Sequence, residues 1–83
     1  MTFEEKIKKL GFYTLYDFGH IKEYRNEKYG LYESDVKLIL DFRDKTITFE
    51  FTHEHWIPNE APEIDMSLLE AIIQQCKDLG WIE

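Results

Sequence analysis

The chain contains little cysteine and no long apolar run, and each of these absences excludes a class of protein. Its single cysteine, Cys76, excludes a disulfide within the chain and fits a reducing compartment. No stretch approaches the roughly 18 apolar residues of a membrane-spanning helix. The segment MTFEEKIKKL at the start also lacks the uninterrupted apolar core of a signal peptide. We therefore expect a cytoplasmic protein without membrane contact.

Basic residues are scarce in the C-terminal third of the chain. The 83 residues carry a net charge of −7, and residues 53–83 hold seven acidic residues against one lysine. An acidic surface of this kind repels phosphate backbones and favours a partner that has a basic surface. The apolar fraction of 43% is typical of a globular chain. We expect residues 1–83 to form one domain, as a monomer or a small homo-oligomer.

The segment 35–52, DVKLILDFRDKTITFEFT, has the clearest periodicity in the chain. Apolar and polar residues alternate along both of its halves, which predicts a β-hairpin with one apolar face. The apolar positions are Val36, Leu38, Leu40, Phe42, Ile47, Phe49 and Phe51. Matching the two apolar sets predicts that Phe42 lies opposite Ile47 and Leu38 opposite Phe51. The turn is then a four-residue loop, residues 43–46, built around a type I turn.

Two capped helices flank the strands. Thr2 and Glu5 have the spacing of a capping box that opens a short helix, and Gly11 ends it. Residues 67–70, SLLE, have the same spacing and predict the start of a second helix, which Gly80 ends. The apolar stripe of this second helix consists of Leu69, Ile72, Ile73 and Cys76, with Leu68 and Leu79 at its sides.

Residues 12–32 are rich in aromatic residues but show no clean alternation. They predict a strand near residues 18–25 and an extended return into the hairpin, with Gly19 as a bulge or a close approach of another backbone. Two apolar helix faces and one apolar sheet face are best buried together. The sequence therefore predicts an α+β fold, an α-β-β-β-α two-layer sandwich whose helices both pack on one face of an antiparallel sheet.

The spacing of His53 and His55 is the only one typical of metal ligands, because both rings project to the same face of an extended chain. Three acidic residues are candidates for a third ligand: Glu60, Glu63 and Asp65. The pattern favours another interpretation, a strand exit whose rings cover the edge of the core. The predicted register would then place His53 opposite Val36.

No motif indicates an enzyme. Cys76 lies in the middle of an apolar stripe, where a thiol is usually buried and inert. The chain has no glycine-rich phosphate loop, nucleophile elbow or dinucleotide fingerprint. We expect no catalytic residues and no cofactor.

Aromatic and acidic residues instead favour a surface that binds a protein. Five tyrosines fall between residues 13 and 32, and amphipathic aromatic side chains are enriched at protein interfaces. We expect a non-enzymatic accessory or regulatory module whose acidic C-terminal side contacts a protein with a basic surface. The candidate contact residues are Trp56, Glu60, Glu63, Asp65 and Ile39, the last being the one apolar residue on the polar face of the hairpin.

Nucleic-acid binding is the alternative, because the order helix, three strands, helix resembles the double-stranded RNA-binding domain. That family grips phosphates with a lysine cluster at the start of its second helix. Here the corresponding segment reads PEIDMSLLE, and its acids repel phosphates. Lys6, Lys8 and Lys9 form a weak basic patch that keeps this alternative open.

The layout as a whole resembles small uncharacterised proteins carried by phages and prophages of Gram-positive bacteria. The similarity lies in a capped helix ending in LGF, a tyrosine-rich strand region, the hairpin LILDFRDKTITFEF, a loop with HWIP and a last helix ending in LGW. The resemblance implies a small accessory protein that binds a partner. It implies no known activity and transfers no functional residues.

The two interpretations of His53 and His55 differ in their response to zinc. If the rings bind a metal, zinc raises the melting temperature, because a ligand that binds only the folded chain stabilises it. Replacing both histidines with alanine then removes the shift. If the rings only cover the core edge, the melting temperature of the unmodified chain does not change. Differential scanning calorimetry with and without zinc distinguishes these outcomes.

Overall fold

The computed structural model describes residues 1–29, 35–52 and 62–82, and in these ranges a helix is followed by four strands and a second helix. The elements are α1 (Phe3–Lys9), β1 (Tyr13–Asp17), β2 (Ile21–Asn26), β3 (Val36–Asp41), β4 (Thr46–Phe51) and α2 (Met66–Asp78). The strands form one antiparallel sheet in the order β1-β2-β3-β4. Neither described helix is long and apolar enough to span a membrane.

Both helices pack on the same face of the sheet, as predicted, and the core lies between the two layers. Strand β3 alternates between buried and half-buried side chains, with Val36, Leu38 and Leu40 directed into the core. The other buried members of this core are Phe3, Ile7, Phe12, Tyr24, Tyr29, Leu68, Ala71 and Ile72. The predicted α+β sandwich is therefore confirmed, and the structure adds a fourth strand to its sheet.

The additional strand arises because the tyrosine-rich region forms a hairpin of its own, β1 and β2. Gly19 lies in its turn with φ of +80°, a conformation that glycine adopts without strain. The prediction of a close backbone approach at Gly19 is wrong, since no described atom lies within 4 Å of a Cβ built there. The bulge lies instead in β1, where the register shifts between Thr14 and Tyr16. This shift explains why neither alternate set of residues is uniformly apolar.

The fourth strand also changes the comparison with the double-stranded RNA-binding domain. That comparison depended on three strands between two helices, and the described residues contain four. The order of elements no longer supports the nucleic-acid alternative.

The register of the hairpin β3–β4 differs from the prediction by two residues. Leu40 pairs with Ile47, and Val36 pairs with Phe51. A shift of two keeps every side chain on its predicted face, so the predicted apolar face is retained. Val36 is therefore not opposite His53, which lies outside the described residues.

Hydrogen bonds at the turn explain this register. Asp41 Oδ1 accepts from the backbone N–H groups of Arg43 and Asp44, both at 2.9 Å, and so starts the loop one residue earlier than predicted. The N–H of Phe42 donates to the carbonyl of His20 at 2.7 Å, and this bond directs the Phe42 backbone towards the β1–β2 turn. The loop still has four residues, 42–45, and Lys45 closes it with φ of 58°.

Helix α1 begins and ends as predicted. Thr2 Oγ1 accepts from the N–H of Glu5, and the Glu5 carboxylate accepts from the N–H of Thr2, which completes the capping box. At the other end, Gly11 has φ of +99° and the N–H of Phe12 donates to the carbonyl of Ile7. A Cβ on Gly11 would lie only 3.0 Å from the side chain of Asn26. Glycine is therefore required here for both conformation and space.

Helix α2 begins two residues earlier than the predicted capping box. The cap is Asp65, whose Oδ1 accepts from the N–H of Leu68 at 2.8 Å, while Ser67 is an exposed residue of the first turn. The C-terminal end agrees with the prediction, since Gly80 has φ of +74° and the N–H of Trp81 donates to the carbonyl of Cys76.

The buried side of α2 is rotated from the predicted stripe. Leu68, Ala71 and Ile72 are buried, whereas Ile73 is 38% exposed. The apolar arc of this helix is wide enough to include either set, so periodicity alone does not choose between them. Packing against α1 and the sheet decides which set is buried.

The position of the α2 cap at Asp65, instead of the predicted Ser67, is directly testable. We expect Asp65→Ala to lower the free energy of unfolding by about 1 kcal/mol, because it leaves the first N–H groups of α2 without their acceptor. Ser67→Ala, at a position outside the cap, should change it by less than about 0.5 kcal/mol. Urea denaturation of both variants measures the difference. Equal losses would contradict the cap at Asp65.

Candidate protein-binding surface

The predicted site residues fall into two groups. His53, His55, Trp56 and Glu60 lie outside the described residues. The other three are Ile39, Glu63 and Asp65. Glu63 is exposed, but the carboxylate of Asp65 already accepts the N–H of Leu68 as the cap of α2. The structure therefore gives Asp65 a role in the fold that the sequence pattern had not indicated.

The described residues provide no metal site. In residues 1–29, 35–52 and 62–82, no group of three or more His, Cys, Asp or Glu side chains could hold an ion. The metal hypothesis depends on His53 and His55, so it stays a prediction.

Cys76 is half-buried beside the core. Burial raises the pKa of its thiol above the ordinary value. A thiol with a raised pKa is protonated at neutral pH and is a poor nucleophile.

The face of the sheet that points away from the helices, here called the open face, carries three rows of side chains in register. Two rows run across all four strands: Tyr16, Glu23, Ile39 and Thr48 form one, and Tyr13, Arg25, Lys37 and Glu50 form the next. The third row crosses β2, β3 and β4 through Ile21, Asp41 and Thr46. Ile39 is half-buried in the first row and is not the only apolar side chain on this face, since Tyr13 and Tyr16 accompany it.

The charged groups of the open face pair with one another. Arg25 Nε lies 2.9 Å from Glu23 Oε2, and Lys37 Nζ lies 3.0 Å from Glu50 Oε1. Both pairs are partly buried, with the side chain of Glu23 14% exposed and that of Lys37 25% exposed. Their effect is to offset charge locally, which leaves the aromatic rings as the distinctive chemistry of this face.

At one end of the open face, Tyr16 and Phe18 form an exposed aromatic pair, here called the aromatic tip. Their ring centroids are 5.4 Å apart and their planes are inclined by 18°, so the rings are stacked. Phe18 is 65% exposed and Tyr16 is 48% exposed. Sequence analysis placed Phe18 in a strand, although Asp17 and Gly19 around it are typical turn residues.

The turn beneath the aromatic tip is held in one conformation. The N–H of Phe18 donates to the carbonyl of Ile21 at 2.9 Å, and the N–H of Gly19 donates to Asp17 Oδ1 at 3.1 Å. The tip is therefore presented on a fixed hairpin. A pre-ordered aromatic pair loses less conformational entropy on binding than a mobile one.

On the other face of the sheet, a polar network joins α1 to β2. The hydroxyl of Tyr24 donates to Glu4 Oε1 at 3.0 Å, and Lys22 Nζ lies 3.5 Å from the same oxygen and 3.8 Å from Asp17 Oδ2. Burial raises the pKa of Glu4, but a backbone hydrogen bond, the Tyr24 hydroxyl and the Lys22 ammonium outweigh it, so the pKa lies below the ordinary value. Burial, followed by the charge of Glu4, raises the pKa of Tyr24.

This network connects α1 to the sheet. Tyr24 is almost fully buried, and its raised pKa keeps the phenol protonated, so that it acts only as a hydrogen-bond donor. The adjacent pocket between α1 and β1 has a volume of about 250 Å³. That is below the roughly 300–1,000 Å³ typical of ligand sites.

A larger groove of about 580 Å³ lies between the two helices. Met1, Leu10 and Ile73 are among the residues that line it, and they are accompanied by charges of both signs, Lys6 and Glu70. The groove is open, so it suits side chains from another protein better than an enclosed cofactor.

Comparisons of the chain with protein-family models, curated proteins and solved structures found no match. The resemblance to phage and prophage proteins therefore stays a prediction.

The Glu4–Tyr24 hydrogen bond should make stability depend on pH. A carboxylate whose pKa is lowered on folding stabilises the fold at pH values above its ordinary pKa of 4.5. This contribution is lost as the pH falls through the folded-state pKa. We expect Tyr24→Phe to lower the free energy of unfolding at neutral pH by roughly 0.5–1 kcal/mol, discounted because Glu4 is partly exposed.

Urea denaturation of the unmodified chain and of Tyr24→Phe, repeated from neutral pH downwards, checks this expectation. The difference between the two proteins should narrow as Glu4 becomes protonated. A difference that stays constant over the whole range would show that the hydroxyl acts independently of the Glu4 charge.

Proposed function

We propose that this chain is a non-enzymatic protein-binding module whose partner carries a basic surface. The observation that carries the proposal is the aromatic tip, two stacked rings that remain in solvent on an ordered hairpin. The core does not use these rings. Aromatic side chains in such positions are typical anchors of protein interfaces.

The aromatic tip keeps apolar surface in solvent that a partner could bury. Fully burying a side chain the size of phenylalanine is worth roughly 1.5–3 kcal/mol. Phe18 leaves most of that free energy unrealised in the isolated chain, since it is 65% exposed. A partner with an apolar pocket realises it on binding.

Ile39 and Tyr13 extend the contact surface from the aromatic tip. Ile39 lies in the same row of the open face as Tyr16, and Tyr13 lies in the neighbouring row. The Glu23–Arg25 pair lies on β2 between the two tyrosines and Ile39, and the Lys37–Glu50 pair lies beside Ile39. The surface therefore combines apolar side chains with paired charges, and aromatic and arginine side chains are enriched at protein interfaces.

Charge determines which proteins are attracted to this surface. The chain has a net charge of −7, concentrated in residues 53–83. We propose that this acidic C-terminal side, including the exposed Glu63, attracts the partner by long-range electrostatics. Asp65 contributes to the charge, but its carboxylate is engaged as the helix cap. A protein that binds nucleic acid is one class with the required basic surface.

Affinity capture with a matched pair of variants tests this function. Phe18→Ser removes the anchor, and Ile82→Ser is the control, because its side chain is also exposed, at 47% against 65% for Phe18. We expect a basic protein to be captured by the unmodified chain and by Ile82→Ser, and to be lost with Phe18→Ser. Since both sites are exposed, each substitution should change the free energy of unfolding by less than about 0.5 kcal/mol.

Titration with the captured protein after purification then gives the strength of the contact. We expect Phe18→Ser to raise the dissociation constant at least about tenfold, which corresponds to ~1.4 kcal/mol. Added salt should weaken binding for all variants, because the attraction is partly electrostatic. Capture that is equal for Phe18→Ser and the unmodified chain would refute the proposal.

A further inference from the structure

Helix α2 presents a second, separate stripe of side chains to solvent, here called the α2 stripe: Met66, Glu70, Ile73 and Lys77. These residues are spaced at i, i+4, i+7 and i+11, so they fall within an arc of about 60° on the helix. All four are exposed, including Met66 at 65% and Ile73 at 38%. They lie on the side of α2 away from Leu68, Ala71 and Ile72, which the core buries.

The charged members of the α2 stripe have no ion pair within residues 1–29, 35–52 and 62–82. The four ion pairs found there involve Glu4, Asp17, Glu23 and Glu50 as acids, with Lys22, Arg25 and Lys37 as bases. Glu70 and Lys77 are thus unlike the charges of the open face, which pair with one another. Two exposed apolar side chains alternate with two unpaired charges of opposite sign.

The order of these residues makes the α2 stripe complementary to itself. From the N-terminal end it reads apolar, acidic, apolar, basic. If two such helices meet antiparallel with Ile73 at the centre, Glu70 of each copy lies three residues before the centre and Lys77 lies four residues after it. Each Glu70 then faces Lys77 of the other copy. A two-fold axis produces this contact twice.

We infer that the chain forms an antiparallel homodimer through the α2 stripe. The apolar centre is formed by Ile73 of both copies, and two Glu70–Lys77 ion pairs border it. A parallel arrangement would place Glu70 against Glu70 and Lys77 against Lys77, so repulsion selects the antiparallel one.

The groove between α1 and α2 provides space for this contact. Glu70 and Ile73 line it together with Met1, Lys6 and Leu10. Side chains from α2 of the second copy therefore have a recess to enter beside the α2 stripe.

The dimer leaves the proposed partner surface free. The α2 stripe belongs to the helical layer, whereas the aromatic tip and Ile39 lie on the open face of the sheet. The inference therefore does not rest on the proposed function, and each can fail without the other. A dimer would present two open faces, directed outwards, to its partners.

Sedimentation equilibrium over a range of chain concentrations tests the dimer. A contact made by one helix pair is smaller than the roughly 1,600 Å² of a standard interface, so we expect reversible, weak association. Glu70→Lys and Lys77→Glu should each weaken association about tenfold, because each places like charges opposite one another twice. The double variant, Glu70→Lys with Lys77→Glu, should restore it. Ile73→Gln should abolish it.

A mixture of the two single-charge variants provides the sharpest comparison. Glu70→Lys carries bases at both positions and Lys77→Glu carries acids at both, so the two should associate with each other more tightly than either does with itself. Phe18→Ser should dimerise like the unmodified chain. Circular dichroism of each variant checks that the helices are retained.

Three results would overturn the inference. The first is an unmodified chain that stays monomeric up to about 1 mM, where a contact worth ~4 kcal/mol is half formed. The second is association that persists in Ile73→Gln. The third is a charge-swapped double variant that associates no better than the single variants, which would place the interface elsewhere.

Discussion

The row of side chains that strand β3 directs towards the helices is the constraint on which the rest of the structure depends. Val36, Leu38 and Leu40 are each at most 1% exposed, and they lie in an inner strand of a four-stranded sheet. Because side chains alternate along a strand, burying this row determines which face of every neighbouring strand points inwards. Both helices must then cover the same face. The opposite face remains open, and the proposed partner surface lies there.

Polar side chains connect the ends of the helices to defined positions on the sheet. Burial of apolar side chains alone does not define these positions. Tyr24 donates to Glu4 in the first turn of α1, and Asn26 donates to the carbonyl of Leu10 at its C-cap, at 2.8 Å. The hydroxyl of Tyr29 accepts the N–H of Asp65 at 2.9 Å, beside the start of α2. Helix ends carry unpaired backbone groups. Here three side chains from β2 and the residues after it connect those ends to the sheet.

The two outer surfaces of the sandwich have different chemistry because different constraints shape them. On the open face, neighbouring side chains are close enough for the charges to pair, within β2 for Glu23 and Arg25 and between strands for Lys37 and Glu50, so the unpaired chemistry that remains is aromatic. On α2, the apolar arc is wider than the strip that the sheet and α1 bury, so apolar side chains remain beside Glu70 and Lys77. The proposed partner surface lies on the first of these, and the proposed dimer contact lies on the second.

Local chemistry was readable from the sequence where neighbours along the chain decide the outcome. The capping box of α1, the glycine ends of both helices and the alternation of residues 36–51 involve contacts within a few residues, and the structure has all of them. These elements were sufficient to predict an α+β sandwich, because a single core buries the apolar faces of both helices and of the sheet together. The faces of the hairpin followed as well, because they depend only on alternation.

Tertiary structure decided between alternatives that local sequence patterns do not distinguish. Asp65 and Ser67 are both good helix caps by residue type, and Asp65 is the one whose backbone N–H reaches Tyr29. A hairpin register shifted by two residues preserves every face, so only the Asp41 carboxylate and the Phe42–His20 contact select the observed one. The aromatic tip was missed because a bulge in β1 hides the alternation of that hairpin. The exposure of a side chain depends on which layers cover it, and that is a property of the assembled fold.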